Sequence, residues 1–266
     1  MSIVEEGPQR DSEDVTDARL AEQLARQAGE LLVELRGRQA DADPGELREQ
    51  GDRESDEFLL RRLAAQRPHD AVLSEESTDD SGRLGSSRVW IIDPLDGTRE
   101  FGAPGRTDWA VHVALWEAGR GITAAAVAQP ARGVVHTGEN AIRPAANARS
   151  RQHPRIVVSD TRPPPFADEL AAAVGAELVP LGSAGAKAMA VLSGEADAYV
   201  HSGGQWEWDS AAPAGVVLAA GLHAGRIDGT PLRYNQPHPY LPGLLICLPE
   251  LADPLLEAIA ASTRTG

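Results

Sequence analysis

The chain has 266 residues, 42% of them hydrophobic, and its formal net charge of −15 argues against a surface for duplex DNA or RNA, which needs clustered lysine and arginine. Its single cysteine, Cys247, excludes an internal disulfide and a cysteine-based zinc site. Because no apolar run approaches transmembrane length and the acidic N-terminus lacks a signal-peptide pattern, we expect a cytoplasmic protein with no membrane partner.

Two amphipathic helices are predicted at the start of the chain. Alanine and leucine recur at helical spacing from Asp14 to about Gly37, which predicts the first helix. After a loop around Asp43-Pro44-Gly45, the second helix is predicted from about Asp52 to Arg67. Its buried stripe is predicted to consist of Phe58, Leu59, Leu63 and Ala64. Asp52 stands where a helix N-cap is expected, so capping explains this residue as well as a catalytic role does.

Two strands then lead directly into acidic residues. Ala71-Val72-Leu73 precedes Glu75, and the buried, β-rich run at 89–92 precedes Asp93-Pro94-Leu95-Asp96-Gly97-Thr98. We expect Pro94 to end the strand and Gly97 to permit a tight backbone. An Asp-rich turn is the simplest interpretation of these residues. The combination instead favours a metal and phosphate site, because crowded carboxylates need a cation and N–H groups that open a helix bind phosphate.

The rest of the chain changes from a meander to alternating strands and helices. Asp79 to Ser87 is polar and predicts a mobile surface loop. The following runs, Trp109–Trp116, Ile122–Val127 and Val134–His136, predict an antiparallel meander. Later strands are predicted at Ile156–Val158, Leu178–Pro180, Ala198–Val200 and Leu244–Leu248. Helices are predicted at Phe166–Val174, Ala184–Ser193, Asp209–Ala220 and Pro254–Ala261, which makes the second half an α/β layer.

A polar connection from Asn140 to Pro154 separates these two halves. We therefore expect one catalytic domain over residues 1–266. Within it, an α+β subdomain is predicted at about 14–145 and an α/β subdomain at about 154–266.

Two further segments have a chemical character. Gly182 to Lys187 places small residues at a helix start, where N–H groups point outward, although such residues also serve packing alone. Trp206 to Ala212 places Asp209 at the start of an alanine-rich helix, where an N-cap is the ordinary explanation. Neither segment identifies a site by itself.

Together, Leu73–Ser77, Trp90–Thr98 and Trp208–Ala212 resemble the signatures of the lithium-sensitive, magnesium-dependent phosphomonoesterases. This superfamily includes inositol monophosphatases, fructose-1,6-bisphosphatases and 3′-phosphoadenosine 5′-phosphate (PAP) phosphatases. The resemblance extends from about Val15 to Leu248. It implies an inositol monophosphatase-like fold, a five-layered αβαβα sandwich that combines α+β and α/β parts, and a homodimer.

The same resemblance implies two or three Mg²⁺ ions and a catalytic set. Glu75, Asp93 and the Leu95 carbonyl would hold one ion, and Asp93, Asp96 and Asp209 would hold a second. Glu75 and the Thr98 hydroxyl would orient the attacking water, with Asp52 polarising Thr98. All of these protein ligands are oxygens, which suits Mg²⁺. The run Arg48–Asp52 departs from the Val-Thr-x-x-Asp that the family usually has there.

Within the superfamily, three features resemble the CysQ-type PAP phosphatases. They are Arg99-Glu100-Phe101 after the threonine, the lysine of the Ser183–Lys187 segment, and His201 where inositol phosphatases place a glutamate. The resemblance implies hydrolysis of the 3′-phosphate of PAP or PAPS, giving AMP or APS, in sulfate assimilation. The substrate would contact Leu95, Asp96, Gly97, Thr98, Arg99, Ser183, Lys187, His201 and Asp209.

Other functions remain open from the sequence. An inositol-1-phosphate or fructose-1,6-bisphosphate phosphatase of the same superfamily is the main alternative. A non-catalytic metal or nucleotide sensor on the same fold is a different class, but every expected metal carboxylate is present. A haloacid-dehalogenase phosphatase would need Asp-x-Asp, whereas Pro94 and Leu95 separate the aspartates here.

Overall fold

Helical layers alternate with two five-stranded sheets in the residues that the computed structural model describes, which are 15–39, 42–142 and 152–263. The α-helices are α1 (Asp17–Arg38), α2 (Pro44–Gln66), α3 (Thr98–Phe101), α4 (Ala167–Val174), α5 (Ala184–Leu192), α6 (Glu207–Ala219) and α7 (Ala252–Ser262). The strands are β1 (Ala71–Ser74), β2 (Arg88–Asp96), β3 (Ala110–Glu117), β4 (Gly121–Gln129), β5 (Val134–Thr137), β6 (Arg155–Ser159), β7 (Glu177–Leu181), β8 (Ala198–His201), β9 (His223–Gly225) and β10 (Leu244–Cys247).

Three hydrophobic clusters hold the layers together. Helices α1 and α2 pack on one face of the first sheet around Leu24 and Leu59. Helices α5 and α6 fill the space between the sheets, where Val191 and Val216 are buried. Helices α4 and α7 cover the outer face of the second sheet around Leu255. This order of layers confirms the predicted five-layered αβαβα sandwich.

Strand direction brings several strand ends to one region. The first sheet has the order β1-β2-β3-β4-β5, with β1 parallel to β2 and the rest an antiparallel meander, as predicted. The second has the order β7-β6-β8-β10-β9, with β6 parallel to both β7 and β8. Parallel strands end at the same edge of a sheet, and that edge is where α/β proteins bind ligands. The acidic residues after β1 and at the end of β2 therefore face the loops after β6, β7 and β8 across one cavity.

Helix α2 begins at Pro44, so the predicted start near Asp52 is wrong. The Asp43 carboxylate caps the helix by accepting hydrogen bonds from the N–H groups of Gly45 (2.8 Å) and Glu46 (3.2 Å). Pro44 occupies the first turn, where its missing N–H costs nothing. Asp52 is thus inside the helix and is not an N-cap. The predicted burial of Ala64 is also wrong, because the buried face of α2 instead includes Ser55 and Asp56.

Two other expectations need correction. Pro94 does not end β2, because the strand continues to Asp96 through a bulge in which Asp93 lies opposite His112 and Asp96 lies opposite Ala110. The segment predicted as a mobile loop contains a 3₁₀ helix at Ser81–Gly85, and its Arg83 is buried. Arg83 donates to the side chain of Asn235 (2.7 Å), so this segment is anchored to the second half of the chain.

The polar connection predicted between the subdomains lies mostly at 143–151, outside the described residues. Among the described helices, none has the length and apolar character that crossing a membrane requires.

Candidate active site

A cavity of about 340 Å³ lies between the strand ends of the two sheets. Every residue predicted to bind metal or substrate lines it: Glu75, Asp93, Leu95, Asp96, Gly97, Thr98, Arg99, Ser183, Lys187, His201 and Asp209. Asp52, which was predicted to polarise Thr98, does not line the cavity but lies within hydrogen-bond distance of the Thr98 hydroxyl. Sequence segments separated by more than a hundred residues thus form a single site.

The carboxylates of Asp93, Asp96 and Asp209 form a cluster on one wall, with one oxygen of each within 4.8 Å of the others. The bulge of β2 supplies Asp93 and Asp96, and the first turn of α6 supplies Asp209. Asp209 also accepts a hydrogen bond from the Trp206 N–H (2.7 Å), which fixes its orientation. Glu75, after β1, shares a hydrogen bond with Asp93 and stays accessible from the cavity mouth.

Burial and mutual repulsion make this cluster unfavourable as a set of anions. Burial raises the pKa of Asp93 well above its ordinary value, and the charges of Glu75 and Asp96 raise it further. Burial also raises the pKa of Asp209 to about 7, with Asp96 adding to the effect. A divalent cation would relieve this repulsion, and a donor set made only of oxygens fits a hard ion such as Mg²⁺. The residues present therefore fit the predicted metal.

Asp96 differs from its neighbours in the cluster because hydrogen-bond donors surround it. Its two carboxylate oxygens accept from the N–H groups of Ala184 (3.1 Å) and Gly185 (2.6 Å) at the start of α5. Burial acts to raise the pKa of Asp96, but the nearby His112, Lys187 and Gly185 N–H outweigh it, and the pKa is lowered. Asp96 is thus held as an anion before any cation binds.

His112 lies beside the carboxylate cluster and was not predicted from the sequence. It is fully buried on β3, opposite Asp93, and its Nε2 lies 3.1 Å from Asp96 Oδ2. Its Nδ1 lies 3.1 Å from the Trp208 carbonyl, next to Asp209. The only available signal was a histidine within an apolar strand that pairs with the motif strand. His112 therefore connects two of the cluster's carboxylate-bearing segments.

Gly97 forms the turn between β2 and α3, and Thr98 is the first residue of α3. Gly97 has φ +84°, and a Cβ there would lie 2.8 Å from the Ser183 Cβ, so both the turn and the close approach require glycine. The Thr98 hydroxyl lies 3.2 Å from Asp52 Oδ1 and 3.1 Å from the Leu95 carbonyl oxygen. Burial raises the pKa of Asp52 to about 7, and the charge of Glu76 adds to this shift.

The opposite wall contains basic side chains, most of which already make hydrogen bonds or ion pairs within the protein. The Lys187 ammonium is buried and donates to the carbonyls of Gly182 and Ser183, the latter at 2.8 Å. Burial lowers the pKa of Lys187, although Asp96 and Asp209 oppose that shift. Ser183 caps α5 through its hydroxyl, which accepts from the Ala186 N–H (2.9 Å). Lys187 therefore secures the Gly182–Ser183 turn at the edge of the cavity.

Arg99 and His201 also have partners. Arg99 donates to the carboxylates of Glu100 and Asp160, the latter at 2.5 Å. The Nε2–H of His201 donates to the Gly203 carbonyl. Burial lowers the pKa of His201 to about 4, against the effect of that hydrogen bond, so the ring is neutral at pH 7.

The sequence and fold are similar to those of known proteins. Residues 13–263 match the family model of the inositol monophosphatase family. The chain is similar to the 3′-phosphoadenosine 5′-phosphate phosphatase of Mycobacterium tuberculosis (57% identity over 89% of this chain and 91% of the relative). That of Mycobacterium leprae is 54% identical over 92% of this chain and 94% of the relative. The fold is similar to the crystal structure of inositol monophosphatase II from Staphylococcus aureus (TM-score 0.73, 19% identity, 89% of this chain and 90% of that chain).

Proposed function

This chain belongs to the inositol monophosphatase family, and we propose that it is a metal-dependent phosphomonoesterase that hydrolyses the 3′-phosphate of PAP, or of PAPS, to give AMP or APS. The observation that carries the reaction type is the cluster of Asp93, Asp96 and Asp209 beside the Gly97-Thr98 turn in one cavity. The choice of nucleotide follows from identities of 54–57% with mycobacterial PAP phosphatases over most of both chains.

The metal in this proposal is Mg²⁺, two or three ions per site. Glu75, Asp93 and the Leu95 carbonyl would hold one, and Asp93, Asp96 and Asp209 would hold a second, so that Asp93 belongs to both sets. When bound, Mg²⁺ supplies a more acidic water and charge stabilisation for the leaving oxygen. Burial and mutual repulsion raise the pKa values of Asp93 and Asp209, which supports a site built for cations.

The side chains of the turn would position the water and the phosphate. When Thr98 donates its hydroxyl hydrogen to Asp52, its oxygen keeps lone pairs that can accept a hydrogen bond from the attacking water. Glu75 provides a second acceptor for that water from the cavity mouth. The N–H groups of Gly97 and Thr98 would donate to the phosphate oxygens, which holds the phosphorus in line for attack.

Several broader features belong to the same proposal. We expect one catalytic domain with subdomains at about 14–145 and 154–266, because both halves contribute residues to a single cavity. A cytoplasmic homodimer that acts in sulfate assimilation is the setting implied by the resemblance to CysQ-type enzymes.

Phosphate release from PAP, inositol-1-phosphate and fructose-1,6-bisphosphate by the full-length protein tests this function. We expect PAP to give the highest kcat/KM, chelation to abolish release, and Mg²⁺ to restore it. Calcium should replace Mg²⁺ poorly, because its larger and more flexible shell misplaces the water. Full activity after chelation would contradict the metal-dependent mechanism. A higher kcat/KM for a sugar phosphate would reassign the substrate, and PAP binding without any release would indicate a sensor.

A further inference from the structure

PAP has a second phosphate, on the 5′ carbon, that must be held away from the metal cluster. Resting on the proposed function, we infer that Arg162 is the residue that binds this remote phosphate and thereby selects bisphosphate nucleotides. Arg162 lies in the loop after β6, on the wall of the cavity that faces the carboxylates. Lys187, His201 and Arg99, which were predicted as substrate contacts, are the other candidates for this role.

Two contacts fix the position of Arg162 in the wall of the cavity. The Arg162 N–H donates to the Ser159 hydroxyl (3.2 Å), which closes a turn at the end of β6. The guanidinium lies over Gly204 in the loop after β8, where a Cβ would be 2.7 Å from Nη1. Gly204 has φ +64°, and its N–H donates to the Tyr240 hydroxyl (3.0 Å). The backbone against which the guanidinium packs is therefore held in place.

Arg162 differs from the other cations of the cavity because its charge is uncompensated. Among the described residues, no carboxylate lies within salt-bridge distance of its guanidinium, and the side chain is exposed. Arg99 is paired with Glu100 and Asp160, and the Lys187 ammonium already donates to two carbonyls. His201 is neutral at pH 7 and uses its Nε2–H on Gly203. Among the described residues that line this cavity, Arg162 is therefore the cation that is free to take an anion.

The chemistry of the guanidinium fits a phosphate. Its planar fork can donate two hydrogen bonds to a phosphate, whereas an ammonium acts as a point charge. In a chain with a formal charge of −15, a substrate with a second dianionic group gains most from a local unpaired cation. A monophosphate that lacks this group should gain little from Arg162.

The test compares PAP with adenosine 3′-monophosphate, which has the same scissile phosphate and base but no 5′-phosphate. For Arg162→Ala in saturating Mg²⁺, we expect kcat/KM for PAP to fall roughly ten- to a hundredfold, while that for adenosine 3′-monophosphate changes less than about threefold. For Arg162→Lys, the kcat/KM for PAP should lie between the values for wild type and for Arg162→Ala. The control is Arg120→Ala, an exposed arginine paired with Glu117 at the β3–β4 turn, which should leave both substrates unchanged.

The possible results distinguish a failure of the Arg162 assignment from a failure of the proposed function. If Arg162→Ala lowers kcat/KM equally for both nucleotides, or does not lower it for PAP, the assignment of Arg162 is wrong. The proposed function would still hold in that case, provided that the wild-type protein hydrolyses PAP. A wild-type protein that hydrolyses neither nucleotide would overturn the proposed function and this inference with it. An unchanged melting temperature of Arg162→Ala would show that a selective loss does not arise from unfolding.

Discussion

Asp93 and Asp96 stand three positions apart in the chain, yet their surroundings move their pKa values in opposite directions. Asp93 is buried beside Glu75, so ionisation of its carboxyl group is unfavourable. Asp96 accepts two N–H groups from the start of α5 and faces His112. One carboxylate therefore depends on a cation, whereas the other is already stabilised as an anion by the protein.

This difference predicts opposite effects of two matched substitutions on the metal-free protein. Asp93→Asn removes a repulsive charge and should raise the melting temperature in chelator, while nearly abolishing activity because a neutral amide cannot neutralise two cations. Asp96→Asn replaces an acceptor of two N–H groups with a single acceptor oxygen and should lower the melting temperature by roughly 2–8 °C. Calorimetric melting in chelator measures both. Shifts of the same sign would contradict the distinction between the two carboxylates.

His112 should tune the affinity of the cluster for its cation. It contacts Asp96 directly and the carbonyl of Trp208, next to Asp209, so its loss frees both segments to move. His112→Ala is expected to weaken Mg²⁺ binding by roughly ten- to a hundredfold, the usual cost of removing a partner of a metal ligand. Titration calorimetry measures this without substrate. His136→Ala, a half-buried histidine on β5 that contacts Gln129, is the control and should bind Mg²⁺ as wild type does.

At the scale of elements, α2 supports the active site from behind through a buried polar face. Ser55 donates to the Pro94 carbonyl in the β2 bulge (2.7 Å), and Asp56 accepts from Ser74 at the end of β1 (2.6 Å). Asp52 contacts Thr98 at the start of α3. These bonds fix three segments that carry site residues, so α2 acts as a common anchor for the acidic wall.

This anchor predicts that a buried serine matters to both stability and turnover. Ser55→Ala leaves the Pro94 carbonyl without its donor and should lower the free energy of unfolding by about 1–3 kcal/mol. It should also lower kcat, because the bulge that presents Asp93 and Asp96 loosens. Urea unfolding and PAP kinetics measure the two effects. Ser81→Ala, at an exposed serine, should change neither; an equal effect at both serines would contradict the role of α2.

The elements that the sequence predicted are those with a strong apolar pattern. Strand β2 was recognisable because its residues are almost continuously buried, and the second half was recognisable because short apolar runs alternate with helical stretches. The start of α2 was missed because Asp43-Pro44-Gly45 has the composition of a turn, and a capped helix start can use the same residues. Its buried face was misplaced because Ser55 and Asp56 are satisfied by partners from other elements, which no local pattern reveals.

For the whole molecule, the two sheets bring acidic and basic walls together across one cavity. The motif segments after β1 and in β2 predicted the acidic wall, since their residues are adjacent in sequence. Which basic side chain of the opposite wall is free to bind substrate was not predictable, because that depends on which of them already have partners in the folded protein. Lys187 donates to carbonyls and Arg99 to carboxylates, whereas the Arg162 guanidinium has no carboxylate partner in the part of the chain that the structure describes. Only the three-dimensional contacts distinguish them.

The carboxylates of Asp52 and Asp209 also predict how stability depends on pH. The pKa values of Asp52 and Asp209 are raised to about 7, so the folded state binds more protons than the unfolded chain above pH 4, and stability falls as pH rises through about 7. Histidines with lowered pKa values, such as His201, act in the opposite sense but only below about pH 6.5. Metal-free protein should therefore melt at a lower temperature at pH 8.5 than at pH 6.5, and Mg²⁺ should stabilise it more at pH 8.5. A metal-free melting temperature that rises over this interval would contradict the prediction.

A crystal structure of the protein with Mn²⁺, AMP and inorganic phosphate, with the metals located by anomalous scattering, tests the central claim most directly. The account predicts anomalous peaks within roughly 2.5 Å of Asp93 carboxylate oxygens, one of them also close to Asp96 and Asp209. Phosphate should lie on the Gly97 and Thr98 N–H groups. Metal peaks away from this cluster, or phosphate bound without any metal there, would contradict it.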